Sequence, residues 1–492
     1  MLGRKTLLSV ISLIFLRFIQ GIILILAVNV FLPIEFGYMK VAQSLLAFFI
    51  FLSDLSLSTV HLKLMAEERE KSVAFSTYFF LKILLIIISS ITFIIIIIFL
   101  LNNNLITNNL QQISIIAVVF IDHFVFTILM VYNSSFQATL KIAKKELATI
   151  IGQIFGFIFS LISILVFNSF ILFLSCTIIS NMFSLLLSIY YGREFKLTKI
   201  KKDLLIKYFK LDLVFLLPFF LSVLINNLGP LLFLQYYNEE LLGVYNVITS
   251  LFLMIKGIEL VLRSLLIPSF SILYKNKKVD EIRKSINLFE KYTAILNGVI
   301  IVIGIMFGDY ILKILFGQIY FEKGLFLYFG YLISLIGFSI FGPYSPLLIA
   351  SEKYKVYTGT LFISLIFSIL SWVFLIPFLG ILAINLGTWI SIIPQTIFIR
   401  YYCFKYFKTG KLKFNSALNL VVIFSMIFVS FYFFSLNFSF LLRIFFSLFI
   451  LISYLGFLIS TKLLTRNDLT YFINIINPKK MLDYIKEETL ND

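Results

Sequence analysis

Lys256, Glu259 and Arg263 interrupt an otherwise apolar run at i, i+3 and i+7. That spacing puts all three on one face of an α-helix, in a charged stripe. Two cations flanking one carboxylate suit an anionic ligand such as a phosphate, with Glu259 limiting the net charge. The same spacing also suits an ion-pair network that only locks the helix to its neighbours. Arg17 and Asp54 stand in the first two apolar runs, at depths expected to be similar. A salt bridge between them, a gating contact, or a separate phosphate site and ion site are all open. Asp122 and His123 are adjacent, so they point about 100° apart and at most one faces a cavity. Both titrate, which makes them candidates for proton coupling. Lys82 and Arg443 lie near the ends of their runs and are expected to snorkel to the interfaces. A charge held within a span costs ~2.5–3.5 kcal/mol on insertion scales, so each of these positions is a candidate functional residue.

The elements that must position them follow from composition. Of 492 residues, 61% are hydrophobic and only 13% charged, too few charges to cover a soluble protein of this length. The apolar share, about 300 residues, is enough for roughly fourteen spans of ~20 residues. Apolar runs are read at 6–32, 41–65, 73–101, 113–136, 147–167, 170–191 and 211–235. They continue at 243–273, 292–315, 325–350, 358–377, 380–404, 415–436 and 440–463. The first is too long for a signal-peptide core and lacks a small-x-small cleavage site, so it is expected to be a retained helix.

Basic residues test that count. With the N-terminus inside, 33 of the 41 Lys and Arg fall in inner segments and three (Lys40, Lys313, Lys323) in outer ones. The remaining five (Arg17, Lys82, Lys256, Arg263, Arg443) fall within spans. Alternation at every loop predicts an all-α integral membrane protein of about fourteen helices, multi-pass in the cytoplasmic membrane, with both termini cytoplasmic. The net charge of +17 is then loop charge facing anionic lipid rather than a nucleic-acid surface. Cys176 and Cys403, the only cysteines, form no metal spacing and no expected disulfide. No nucleotide, haem or zinc motif and no catalytic triad is recognisable, and every outer loop is about a dozen residues or shorter. An enzyme acting on lipid-linked sugars typically needs a large outer loop, so transport without a cofactor is the expectation.

The chain repeats with an offset near 206 residues. Phe36-Gly37-Tyr38, a helix with Asp54 and the charged stretch 63–71 correspond to Gly243-Val244-Tyr245, a helix with Glu259 and the stretch 275–291. Tyr190-Tyr191 and Tyr401-Tyr402 close the sixth and twelfth runs. Six helices per unit is an even number, which gives parallel repeats. The expected architecture is two six-helix bundles, 1–207 and 208–410, around a central cavity. Two further helices at 411–465 and a cytoplasmic tail at 466–492 complete it.

Leu32-Pro33-Ile34-Glu35-Phe36-Gly37-Tyr38 and Phe51-Leu52-Ser53-Asp54-Leu55-Ser56-Leu57 resemble the first two helices of polysaccharide flippases. Leu242-Gly243-Val244-Tyr245-Asn246, Leu266-Ile267-Pro268-Ser269-Phe270, Leu315-Phe316-Gly317-Gln318-Ile319-Tyr320 and Ile376-Pro377-Phe378-Leu379-Gly380-Ile381-Leu382-Ala383 extend the likeness along the chain. These flippases, the O-antigen type among them, belong to the multidrug/oligosaccharidyl-lipid/polysaccharide exporter superfamily. One departure is an acid often seen in the family's helix seven, absent here where Asn226-Asn227 stand nearby. The resemblance implies a lipid-linked oligosaccharide as cargo, moved from the cytoplasmic to the outer leaflet, with Na⁺ or H⁺ as a coupling ion. Membrane lipids and other glycan-assembly membrane proteins are the implied partners. Arg17, Lys256 and Arg263 then become cargo-binding candidates, and Asp54, Glu259, Asp122 and His123 gating or ion-coupling candidates. The alternatives are a multidrug exporter of the same fold and a membrane-embedded enzyme of the glycan pathway. Five basic against three acidic in-span residues favour an anionic cargo.

Overall fold

The computed structural model describes residues 2–67, 70–102, 109–409, 414–436, 438–461 and 463–464. The expected tail at 466–492 lies outside them. Among the described residues there is no strand, and fourteen helices are long and apolar enough to cross a membrane. Each overlaps one of the fourteen apolar runs, though bounds differ, by about a dozen residues at Val279–Met306 against 292–315.

In chain order the first helices are α1 (Leu2–Val30), α2 (Pro33–Asp54), α3 (Leu57–Glu67), α4 (Lys71–Asn102) and α5 (Leu110–Ala138). Next come α6 (Ile142–Ile162), which runs into a π-turn at Ser163–Phe167, then α7 (Phe170–Tyr191), α8 (Lys202–Phe233) and α9 (Glu239–Lys275). The rest are α10 (Val279–Met306), α11 (Gly308–Phe316), α12 (Gln318–Phe341) and α13 (Tyr344–Ala350). The chain finishes with α14 (Tyr354–Leu379), α15 (Ile381–Phe407), α16 (Phe414–Ser435) and α17 (Phe440–Ser460).

Two spans are broken. The second, Pro33–Met65, breaks between α2 and α3, where Leu55 and Ser56 adopt φ of 46° and 79°. Such backbone is unfavourable for a residue with a Cβ, so the break persists only because its side chains are held. Asp54 ends α2, and its Oδ1 accepts from the Ser58 N–H (3.3 Å) and hydroxyl (2.6 Å) at the start of α3. The tenth span, Gln318–Ala350, breaks at Gly342-Pro343, where proline supplies no N–H to continue the helix.

The chain forms two compact units, Met1–Asn246 and Val247–Asn477. In the first, α7 lies against both α5 and α6, α2 against α4 and α5, and α8 against α2, α3 and α4. In the second, α15 lies against both α12 and α14, and α10 against α12 and α16. The sixth span thus contacts the fourth and fifth, and the twelfth contacts the tenth and eleventh.

The glycines of the two repeat motifs meet in the first unit. A Cβ on Gly37 would lie 1.9 Å from the Glu239 carbonyl oxygen, and one on Gly243 would lie 1.7 Å from that of Pro33. Only hydrogen fits at either place, so the α2 and α9 backbones touch there. The Asn246 side chain reinforces the crossing by donating to the Phe36 carbonyl at 3.0 Å.

Candidate functional site

In the second unit, α9 presents its stripe to α10, α12 and α13. Lys256 lies midway along the 37-residue helix, its Nζ 3.2 Å from the centre of the Phe338 ring and 5.7 Å from that of Phe252. Glu259 is buried, touched by the Asn297 amide only at the long distance of 3.5 Å, while that amide donates to Ser339 at 2.7 Å and to the Leu335 carbonyl at 3.0 Å. Two turns from Lys256, Arg263 donates to the Ser345 hydroxyl and lies 5.3 Å from the centre of the Phe341 ring. Neither cation forms a direct ion pair among the described residues. Aromatic faces attract such cations, yet they neutralise no charge.

Three buried cations elsewhere, Lys82, Arg400 and Arg443, behave differently. Arg400 of α15 pairs with Glu290 of α10 at 2.7 Å, and the Tyr344 hydroxyl donates to the same carboxylate at 2.8 Å. Arg443 of α17 pairs with Asp309 at 2.7 Å and donates to the Met306 and Phe438 carbonyls, both at 3.0 Å. Lys82 of α4 pairs with Asp54. The expectation that Lys82 and Arg443 snorkel is therefore corrected, since both are 2% exposed and locked to carboxylates. Their neighbouring helices run past the hydropathy edges and enclose them.

The Arg17–Asp54 bridge is also not formed. Arg17 is half-buried and donates to Gln20 at 3.0 Å, while Asp54 takes Lys82. The two are not at one depth, because α2 starts at Pro33 rather than 41. Arg17 lies about 20 Å along α1 from Val30, and Asp54 about 32 Å along α2 from Pro33, at ~1.5 Å per residue. Asp122 and His123 diverge as adjacency requires. Asp122 accepts from the Asn181 amide of α7 at 2.8 Å, and His123 is 3.0 Å from the Thr127 hydroxyl with its ring edge-on to Phe49.

Several buried polar residues escape the sequence reading. His61 is fully buried, with Nδ1 2.7 Å from the Tyr208 hydroxyl and Nε2 2.9 Å from that of Ser135. Asp212 of α8 is buried and accepts from the Ser56 hydroxyl at 2.6 Å, so the seventh span does carry an acid, far from Asn226-Asn227 in sequence. Glu290 and Arg400 sit at edges where the sequence assigns inner loop. The available signal is composition: a charge just inside a run's edge, at helical spacing from apolar neighbours, belongs to the span. These additions narrow the excess of in-span bases over acids from five against three to six against five. What distinguishes the site instead is which cations lack a carboxylate.

A multi-pass, all-helical membrane protein of fourteen spans is the class these features define, and its fold is one shared with transporters. The lipid II flippase MurJ in an inward closed conformation superposes with a TM-score of 0.72 over 93% of this chain and all of its own, at 16% identity. An outward-facing multidrug resistance transporter of the MATE family and MOP superfamily gives 0.64 over 84% of this chain and 98% of its own, at 12% identity. A MOP-superfamily transporter from Pyrococcus furiosus gives 0.63 over 84% and 97%, at 11% identity. No curated protein matches the chain in sequence. The polysaccharide biosynthesis protein family matches residues 2–274, and the chain belongs to that family.

Proposed function

We propose that this protein is a flippase that carries a polyprenyl-phosphate- or polyprenyl-diphosphate-linked oligosaccharide from the cytoplasmic to the outer leaflet by alternating access. The observation that carries the proposal is the contrast among cations within the spans. Lys82, Arg400 and Arg443 are each neutralised by an acid, whereas Lys256 and Arg263 lie on aromatic rings with no carboxylate partner. Two cations that share the single carboxylate of Glu259 leave a net positive charge on one helix face, which is disfavoured in a span unless something anionic visits it. A phosphate or diphosphate head group supplies that charge, and the polyprenyl tail stays in lipid. Arg17, half-buried and without a carboxylate partner among the described residues, is the third cation assigned to the cargo. Glu259 limits the site's charge, and Asp122 and His123 remain candidates for coupling to Na⁺ or H⁺.

In this reading two six-helix bundles, 1–207 and 208–410, rock about a central site in the cytoplasmic membrane, with both termini cytoplasmic. Translocation, not bond chemistry, is the activity. Membership of the polysaccharide biosynthesis family and the likeness to a lipid II flippase support the cargo class. The fold likeness to multidrug transporters favours export of small cations as the second reading. A cationic stripe argues against it, since such cargo calls for acids.

The test is deletion of the gene, followed by complementation with wild type and with Arg17→Ala, Lys256→Ala and Arg263→Ala. Surface glycan and accumulated lipid-linked oligosaccharide are measured. Lost surface glycan with cargo held on the cytoplasmic side, restored by wild type and not by the variants, is the expected result. Normal glycan in the deletion strain, with no second flippase present, sinks the proposal and promotes the multidrug reading. Intact cargo that is chemically processed without crossing points to an enzyme.

A further inference from the structure

The broken second span carries a buried polar cluster in the first unit that cargo binding does not use. Asp54 ends α2, and its Oδ1 takes the Lys82 ammonium from α4 and both Ser58 donors from α3. Ser58 and the Tyr78 hydroxyl of α4 are 2.8 Å apart. Ser56, at the break itself, donates to Asp212 of α8 at 2.6 Å. One turn away on α8, Tyr208 meets His61 of α3, whose ring stacks on Tyr78 at 3.9 Å. Asp54 and Asp212 are thus held on either side of the break, through Ser58 and Ser56 respectively.

Donor counting fixes the charge of the histidine. The Ser135 hydroxyl donates to the Val131 carbonyl at 2.7 Å, so His61 Nε2 must donate to Ser135. The Tyr208 hydroxyl, 2.7 Å from Nδ1 and 3.4 Å from the Ala74 carbonyl, gives its proton to the nearer acceptor. His61 is therefore neutral in this arrangement. The cluster then holds two carboxylates and one ammonium, a net negative charge in a largely buried site that reaches water at the Asp54 side. Burying an uncompensated charge is strongly unfavourable, so one more positive charge belongs here. Asp54 is satisfied by two Ser58 donors and the Lys82 ion pair. Asp212 has one hydroxyl donor and is the poorer home for a full negative charge.

We propose that Asp212 binds a proton in this arrangement and releases it when Lys82 is drawn from Asp54 toward it, making the α2–α3 break and α8 a proton-coupling site. Release breaks the Asp212 O–H bond, and the proton passes to water. Lys82 then neutralises Asp212, and Asp54, the more exposed acid, keeps its charge on the two Ser58 donors and water, so the Ser56–Asp212 and Lys82–Asp54 links cannot both keep their present strength. A change in proton occupancy therefore loads or relaxes the strained Leu55-Ser56 backbone, which joins the two halves of the second span. Coupling to transport rests on the flippase reading. The proton site itself does not.

The test is an infrared pH titration of the full-length protein in lipid nanodiscs, read without cargo in the carboxylic-acid carbonyl region. Wild type should show a buried carboxylic-acid band that disappears as pH rises, and Asp212→Asn should lack it. Asp54→Asn should also lose it at neutral pH, because Lys82 is then free to neutralise Asp212. Lys82→Gln should enlarge it, since two carboxylates without an ammonium both take protons. Should Asp212→Asn not be recoverable, Ser56→Ala keeps the acid but removes its donor, and the band must persist to higher pH than in wild type. A band that survives Asp212→Asn, a wild type with none, or a band removed by sodium at constant pH overturns the proposal, the last by giving the charge to a metal cation. Any of these leaves the glycan result of the deletion strain intact.

Discussion

Arg400 and Lys256 are both cations held within helices of the second unit, and the difference between them divides structure from function. Arg400 is 2.7 Å from Glu290, a pair closed further by the Tyr344 hydroxyl and by the Ile340 carbonyl at 3.1 Å. Glu290→Gln leaves the guanidinium buried without a counter-charge, a change that costs about 3–5 kcal/mol. Thermal unfolding in detergent should show that loss, and adding Arg400→Met should recover much of it, because the stranded charge is then gone. Lys256 predicts the reverse. Lys256→Met removes a cation lying on Phe338 and breaks no direct ion pair, and Glu259 keeps Arg263 on the same face, so the unfolding temperature should fall far less than in Glu290→Gln. Cargo affinity should fall roughly 10- to 100-fold, the ~1.5–3 kcal/mol of a hydrogen bond to a charged group. A large stability loss in Lys256→Met with unchanged binding would mean that the stripe only braces α9. The stripe itself was legible from i, i+3, i+7 spacing. Its seat on Phe338 and Phe341 was not, because a chain with 59 phenylalanines offers no way to choose two. Nor was the Lys82–Asp54 pair, which depends on where α2 ends.

The elements show the same division. Gly37 and Gly243 were visible in sequence as the anchors of matching motifs, and the crossing explains why both are glycine: each is in backbone contact with the other's segment. Gly243→Ala must part α2 from α9 or distort one of them, at a cost of about 1–3 kcal/mol. Amide hydrogen exchange across residues 33–38 and 239–246 should quicken in that variant. Unchanged protection in both segments would show that the crossing carries no load. The break at Gly342-Pro343 was equally open to reading, since proline lacks the donor. The break at Leu55-Ser56 was not, because neither residue is Gly, Pro, Asn or Asp. It rests on Asp54, Lys82 and Asp212, partners brought in from α4 and α8. Local propensity cannot foresee a break held by tertiary partners.

For the whole molecule, hydropathy and the alternation of Lys and Arg sufficed to count fourteen spans, because lipid demands an unbroken apolar length from every helix. The same alternation predicts direction. In a background with Cys176 and Cys403 replaced, a single cysteine at Asn238 or Gly317 should react with an impermeant maleimide on intact cells. One at Lys199 or Lys277 should react only after permeabilisation, and labelling in the opposite sense would invert the topology and with it the direction of transport. What hydropathy could not supply is the set of buried polar contacts, since side chains on fourteen similar helices find partners only through packing. The central claim, that cations on α9 carry an anionic lipid-linked glycan across the bilayer, is tested most directly in proteoliposomes. Purified protein is reconstituted with a polyprenyl-diphosphate oligosaccharide, and the fraction of glycan reaching the opposite leaflet is followed with an impermeant oxidant. Wild type should move the glycan, and Lys256→Ala with Arg263→Ala should slow that movement roughly tenfold or more while the protein stays folded. Equal rates with and without the two cations, or no movement above protein-free vesicles, would contradict the account.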